Sequence, residues 1–124
     1  MIRRDRTCFA LLNAYPYVGG HLMVVPFDHV SGLSAASPET ASEMMTITQR
    51  AEESLRAAYR PDGLNIGMNI GASAGAGVAG HIHLHVLPRW LGDVNFMTAV
   101  SETRVLPESL ETTYQKMREQ CSHW

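Results

Sequence analysis

His81-Ile82-His83-Leu84-His85-Val86-Leu87-Pro88 decides how the rest of the chain is read. Three histidines alternate with three aliphatic residues, and a strand points successive side chains to opposite faces. The spacing predicts a strand with His81, His83 and His85 on one face. Ile82, Leu84 and Val86 then share the other, which reads as core. Half of the six histidines in the chain fall within five positions, so the polar face is where chemistry is expected.

Just upstream, Leu64 to Ile70 alternates in the same way. Leu64, Ile66, Met68 and Ile70 form one face; Asn65, Gly67 and Asn69 form the other. A small-residue loop, Gly71 to Gly80, separates this strand from the histidines. Antiparallel pairing across the loop brings the Asn and His faces to one site and leaves the aliphatic faces to cover a helix. That helix is expected from about Pro38 to Tyr59. Ser37 is its N-cap, Pro38 takes the first helical position, and Pro61-Asp62-Gly63 stops it. Ala41, Met44, Met45, Thr48, Ala51, Leu55, Ala58 and Tyr59 recur at helical spacing as its core stripe. Glu52 and Arg56 form an exposed i,i+4 pair.

Near the N-terminus, Cys8 to Asn13 and His21 to Pro26 read as a hairpin across a turn at Tyr15-Pro16-Tyr17-Val18-Gly19-Gly20. Phe9, Leu11 and Asn13 share one side of the first strand. After the histidines come Arg89-Trp90, a loop through Gly92-Asp93, and Asn95-Phe96-Met97. Pro107 is expected to open a last helix to about Cys121, with Leu110, Tyr114, Met117 and Cys121 on one stripe. Ser122-His123-Trp124 is expected to fray. The fold class is α+β, a single domain over 1–124 with its core at about 8–97 and the C-terminal helix at about 107–121.

Composition narrows the function. With 124 residues, 45% apolar and 18% charged, the chain can bury a real core. A net charge of −2 gives no global basic field for nucleic acid or membrane binding. Arg3, Arg4 and Arg6 read as an exposed, solvated tail. Cys8 and Cys121 have no CxxC spacing; reduced thiols are expected, with a disulfide as the alternative. No apolar run suits a signal peptide or a membrane span, which makes the cytoplasm the default.

Three chemistries compete for the histidine face. One is structural, with each imidazole simply satisfied. The second is metal binding. His81 and His85 lie about 13 Å apart along an extended strand, whereas zinc needs each ligand nitrogen about 2 Å away. One ion cannot take all three without severe bending, although two neighbours could act with His21 or His29. The third, which the pattern favours, is catalysis by a central imidazole flanked by two others. Such a ring attacks phosphorus if one nitrogen is free and the other is hydrogen-bonded. Its neighbours orient it and serve the leaving group. The glycines of the adjacent loop let backbone N–H groups approach an anion, and Ser73 adds a hydroxyl.

This histidine stretch resembles the signature of the histidine triad (HIT) family, His-x-His-x-His followed by two apolar residues. Leu12-Asn13, Gly20-His21 before a strand, the long helix, Asn69 before a glycine-rich loop, and Pro88-Arg89 follow in that family's order. The resemblance covers about Cys8 to Met97. It implies a five-stranded antiparallel sheet with one long helix, commonly in a homodimer, and nucleotide hydrolysis or transfer through a covalent nucleotidyl-histidine. It implies that His83 is the nucleophile, that His85 faces the leaving group, and that His81 and His21 orient the site. Asn69 corresponds to a polar residue at the phosphates. Phe9, Leu11 and Asn13 correspond to the base and ribose pocket.

One departure stands out. Where many relatives have Gly-Gln-Ser/Thr-Val, this chain has Gly75-Ala76-Gly77-Val78, so phosphate contacts fall to the backbone. Trp90, Gly92-Asp93 and Asn95-Phe96 resemble the branch that cleaves dinucleoside polyphosphates by water or phosphate. An adenosine-phosphoramidate hydrolase, or a nucleotide-binding protein with little turnover, is the alternative. No resident cofactor or structural zinc is expected; a divalent cation would come with the polyphosphate substrate.

Overall fold

Alternating apolar residues lay down four strands of a five-stranded sheet, and an arginine pair adds the fifth at one edge. In the computed structural model, which describes residues 1–13, 19–93, 109–122 and 124, the strands are β1 (Arg3–Arg4), β2 (Cys8–Leu12), β3 (Leu22–Pro26), β4 (Gly63–Gly67) and β5 (Leu84–Arg89). Their order is β1-β2-β3-β5-β4, and every neighbouring pair is antiparallel. Helix α1 (Pro38–Tyr59) packs on β2, β3 and β5, and α2 (Leu110–Cys121) packs on α1. None of the described helices is long and apolar enough to cross a membrane.

Register separates the two faces. Cys8, Ala10, Leu22, Val24, Leu84 and Val86 are all buried on the α1 side. Phe9, Leu11, Met23, His85 and Gly67 alternate with them and lie across the sheet from one another, through the pairs Leu11↔Met23, Met23↔His85 and Gly67↔His85. The polar side of the Asn strand and the histidines thus share one face, opposite the helix.

The helix ends follow their signals. Ser37 caps α1, its hydroxyl accepting from the Thr40 N–H at 3.1 Å. Arg60 ends it in the left-handed region at φ 49°. Arg56 and Glu52 meet at 3.0 Å on the exposed side. The buried stripe is rotated from the expected one. Met45 is 52% exposed, while Ile47 is buried with Met44, Thr48, Ala51 and Leu55. Met44, Ile47, Thr48, Ala51 and Leu55 follow the i, i+3, i+4, i+7 and i+11 spacing of one helix face, and Met45, 100° on from Met44, falls at its edge toward solvent.

Several boundaries also differ from expectation. The arginine run is not a free tail: Arg3 and Arg4 pair with Ala10 and Phe9, and Ile2 is buried. The histidine strand enters the ladder only at Leu84, so His81 and His83 precede it, and it runs one residue past Pro88. Pro88 has no N–H to give, but the ladder tolerates it beside edge strand β4. The Asn strand stops at Gly67, and Ile66 and Ile70 are 46% and 45% exposed. Leu110 is exposed; Thr113, Met117 and Cys121 make the buried stripe of α2. Trp124 does not fray, because its indole N–H donates to Ser54 Oγ at 2.7 Å. Cys8 and Cys121 are free and buried. The Tyr15–Val18 part of the turn, Asn95-Phe96-Met97, Pro107 and His123 lie outside the described residues.

Candidate active site

Two adjacent strands bring His21 and His85 together. Met23↔His85 pairing puts His21 diagonally across from His85 on the same face. Their rings join through His21 Nε2 and His85 Nδ1 at 2.9 Å. His21 is only 5% exposed. Burial, then the neighbouring His85 and His83, pull its pKa down to about 4. Burial, then His83, lower that of His85 as well. Both rings are therefore held toward the neutral form, in which one shared proton fills the contact between them.

The other two rings face carbonyl oxygens, and that fixes their tautomers. A carbonyl only accepts, so the nitrogen facing it must carry the proton. His81 Nε2–H donates to the Pro26 oxygen at 2.8 Å. His83 Nδ1–H donates to the His81 oxygen at 3.2 Å. His83 thus keeps its lone pair on Nε2. The His83 and His85 rings meet edge-on, with centroids 4.8 Å apart. The segment carrying His81 is pinned from the other side, since the Ile82 N–H donates to the Val30 oxygen at 2.8 Å. His29 packs against His81 with ring centroids 4.4 Å apart and planes tilted by 54°.

A cavity of about 310 Å³ opens beside His83. Phe9, Leu11, Met23 and Val25 form its sheet wall, and Val78, His81 and His83 its other side. Of the residues named for the base and ribose, Phe9 and Leu11 line this cavity. Met23, Val25 and Val78 were not anticipated, yet the alternation of the β2–β3 hairpin places Met23 and Val25 beside them. Asn13 lies near the histidines instead, its amide nitrogen 3.4 Å from His21 Nδ1 and 3.5 Å from Nε2. Nearly equal distances to two ring atoms make this a loose contact rather than a directed bond.

The small-residue loop is more ordered than its composition implies. Residues Ala72–Ala74 form a 3-10 turn, and Gly71 and Gly75 take φ of 85° and 97°. The N–H groups of Ala74 and Ala76 donate to Gly71 and that of Gly75 to Ala72. Asn69 reaches the same loop, donating to the Gly75 oxygen at 3.5 Å. Gly77 continues the loop toward Val78 and the cavity. Among the described residues, no group of three His, Cys, Asp or Glu side chains is placed to hold one metal ion.

The chain is similar to several known proteins. An AP-4-A phosphorylase of Mycobacterium tuberculosis (strain ATCC 25618 / H37Rv) is 43% identical over 113 residues, covering 91% of this chain and 58% of the relative. An asymmetrical bis(5'-nucleosyl)-tetraphosphatase of Schizosaccharomyces pombe is 28% identical over 90 residues, covering 73% and 49%. The chain thus spans about half the length of these relatives. The crystal structure of a zinc-bound histidine triad family protein from Mycobacterium smegmatis superimposes with a TM-score of 0.79 at 31% identity, covering 98% of this chain and 83% of that one. The model of the HIT domain matches residues 1–90. With its alternating histidines, its sheet order and this match over most of its length, the chain belongs to the histidine triad family.

Proposed function

We propose that the protein is a nucleotidyl hydrolase or transferase that cleaves dinucleoside polyphosphates at the α-phosphate through a nucleotidyl-histidine on His83. One observation carries the reading: the His81 carbonyl holds the His83 proton on Nδ1, leaving a nucleophilic lone pair on Nε2 beside an apolar cavity. The names of the phosphorylase and tetraphosphatase relatives support the substrate class.

The Nε2 lone pair forms the bond to the α-phosphorus as the bridging P–O bond breaks, and that electron pair leaves with the released nucleotide. Such a phosphate leaves as an anion near pH 7, so it needs a hydrogen-bond donor more than a full proton. If His21 Nε2–H donates to His85 Nδ1, the proton of neutral His85 sits on Nε2 and serves this role. His81 positions His83, and His21 positions His85. In the second half-reaction water or inorganic phosphate takes the nucleotidyl group from His83, restoring the free imidazole. Phe9 and Leu11 hold the base, Asn13 the ribose, and Asn69 with the backbone of Gly75, Ala76 and Gly77 the phosphates.

The test uses diadenosine tetraphosphate with and without inorganic phosphate. Adenosine monophosphate plus triphosphate without phosphate marks a hydrolase; adenosine diphosphate appearing only with phosphate marks a phosphorylase. His83→Asn should abolish both while retaining adenosine monophosphate binding. Wild-type turnover by that variant sinks the mechanism. A second reading, nucleotide binding with little turnover, draws on the loop: the Ala74, Gly75 and Ala76 N–H groups already close its turn, and the family's Gln and Ser/Thr side chains are missing. Tight nucleotide binding with no product in either assay would favour it.

The reading includes a homodimer. Strand β4 pairs only with β5 among the described strands, leaving one edge for a second copy.

A further inference from the structure

We propose that Arg4 is a specificity-determining residue, which closes the base end of the cavity and favours purine over pyrimidine nucleotides. The proposal rests on the nucleotide reading above. The sheet register supplies the geometry. Arg4 pairs with Phe9, and Phe9 with Val25. Arg4, Phe9 and Val25 form one row across a single face of the sheet. Val25 and His83 line the same cavity, with Phe9 on its sheet wall. Two strand spacings of ~4.8 Å put Arg4 about 10 Å from Val25, measured between Cα atoms. A nucleotide attached to His83 and lying in the cavity points its base along this row toward Arg4.

The arginine is prepared for that role. Its guanidinium carbon sits 4.4 Å from the centroid of the Phe27 ring, and Phe27 packs against the cavity residue Phe9 with centroids 5.0 Å apart. A cation held over an aromatic face is restrained without using its N–H donors on an acceptor. The neighbouring arginines are already paired, Arg3 with Asp5 and Arg6 with Glu39. Arg4 makes no ion pair among the described residues. The sheet wall at Phe9, Leu11, Met23 and Val25 is apolar and holds a ring without reading its edge. A donor fork at the rim reads acceptors. A purine extends a second ring in that direction and carries ring-nitrogen acceptors such as N7; a pyrimidine ends short of it.

The experiment measures binding of adenosine, guanosine, cytidine and uridine monophosphates by calorimetry to the wild type and Arg4→Met. Methionine keeps an apolar stem on Phe27 and leaves the β1 backbone pairing in place, and an unchanged melting temperature checks the fold. The variant is expected to bind the two purine nucleotides about tenfold more weakly and the two pyrimidine nucleotides within about twofold of wild type. An equal loss for all four overturns the proposal, since it means that the cation merely attracts phosphate. No loss for any of them also overturns it. A wild type that binds none of the four sinks the nucleotide reading as well, whereas normal wild-type binding with an indifferent Arg4→Met sinks this inference alone.

Discussion

Gly20 carries a double constraint one residue before His21. Its φ is +83°, which side chains rarely adopt, and an added Cβ would lie 3.0 Å from Tyr59 Cε2, 3.1 Å from Leu55 Cδ2 and 3.3 Å from Pro88 Cγ. Gly20→Ala should cost roughly 2 kcal/mol and pull His21 away from His85. Urea unfolding together with turnover checks both effects; wild-type values in the two assays would refute the constraint. His21 itself predicts a pH effect. The unfolded ring takes a proton near pH 6.5, the folded one only at about 4. The unfolded state therefore binds more protons between these values, and stability falls as pH drops from 6.5 to 4. With the ring almost wholly buried, the loss approaches about 3 kcal/mol. Denaturant unfolding at pH 7 and pH 4.5 should show a smaller drop for His21→Gln than for wild type; an equal drop would exclude His21 as its source. The three histidines stood out in the sequence by their alternation, although only His85 lies within the strand, and His21 was singled out by the family resemblance. Their tautomers were not legible there, since the carbonyl that fixes His81 belongs to Pro26, 55 positions away.

At the scale of elements, Glu43 fastens the sheet to α1. One carboxylate oxygen accepts from the Thr7 N–H at 2.7 Å, the Thr7 hydroxyl at 2.9 Å and the Cys8 N–H at 3.1 Å. Burial tends to raise the pKa of this carboxyl, but the bonds from Thr7 and Cys8, with Arg6 nearby, bring it below its usual value. Its contribution is therefore present above the ordinary carboxylate range and lost as pH falls through the folded value. Glu43→Ala leaves three donors without that acceptor and should destabilise by about 2 kcal/mol. Calorimetric melting at pH 7 tests this, and an unchanged midpoint would mean that water replaces the carboxylate at no cost. The ends of α1 were legible because Ser37, Pro38 and Pro61 act locally. Its buried face was harder to read, because Met45 and Ile47 are both apolar and only packing against the sheet selects between them. Strand β1 was not legible at all. Two arginines show no hydrophobic period, and their pairing depends on the edge that β2 offers.

The molecule as a whole divides its functions between two faces. One face of the sheet is sealed by α1, with Leu22, Val24 and Val86 fully buried; the other stays open for the histidines and the cavity. Such an open face needs rigid backing, and the core beneath His85 supplies it. The same layout leaves a liability at the β4 edge, where no described strand covers the outer backbone groups and Ile66 is 46% exposed beside Ile70 at 45%. The alternation of Leu64 to Ile70 made both isoleucines read as core, because a sequence pattern cannot tell burial by the same chain from burial by a second one. A two-fold partner pairing along β4 would satisfy the backbone edge and cover these side chains at once. Ile66→Asp with Ile70→Asp should then convert a dimer to a monomer, because each carboxylate would have to lose its water within the interface. Sedimentation velocity over a range of concentrations tests this directly. A wild type that sediments as a monomer throughout, or a double variant that remains dimeric, would remove β4 as the assembly edge and leave its exposed isoleucines without that explanation.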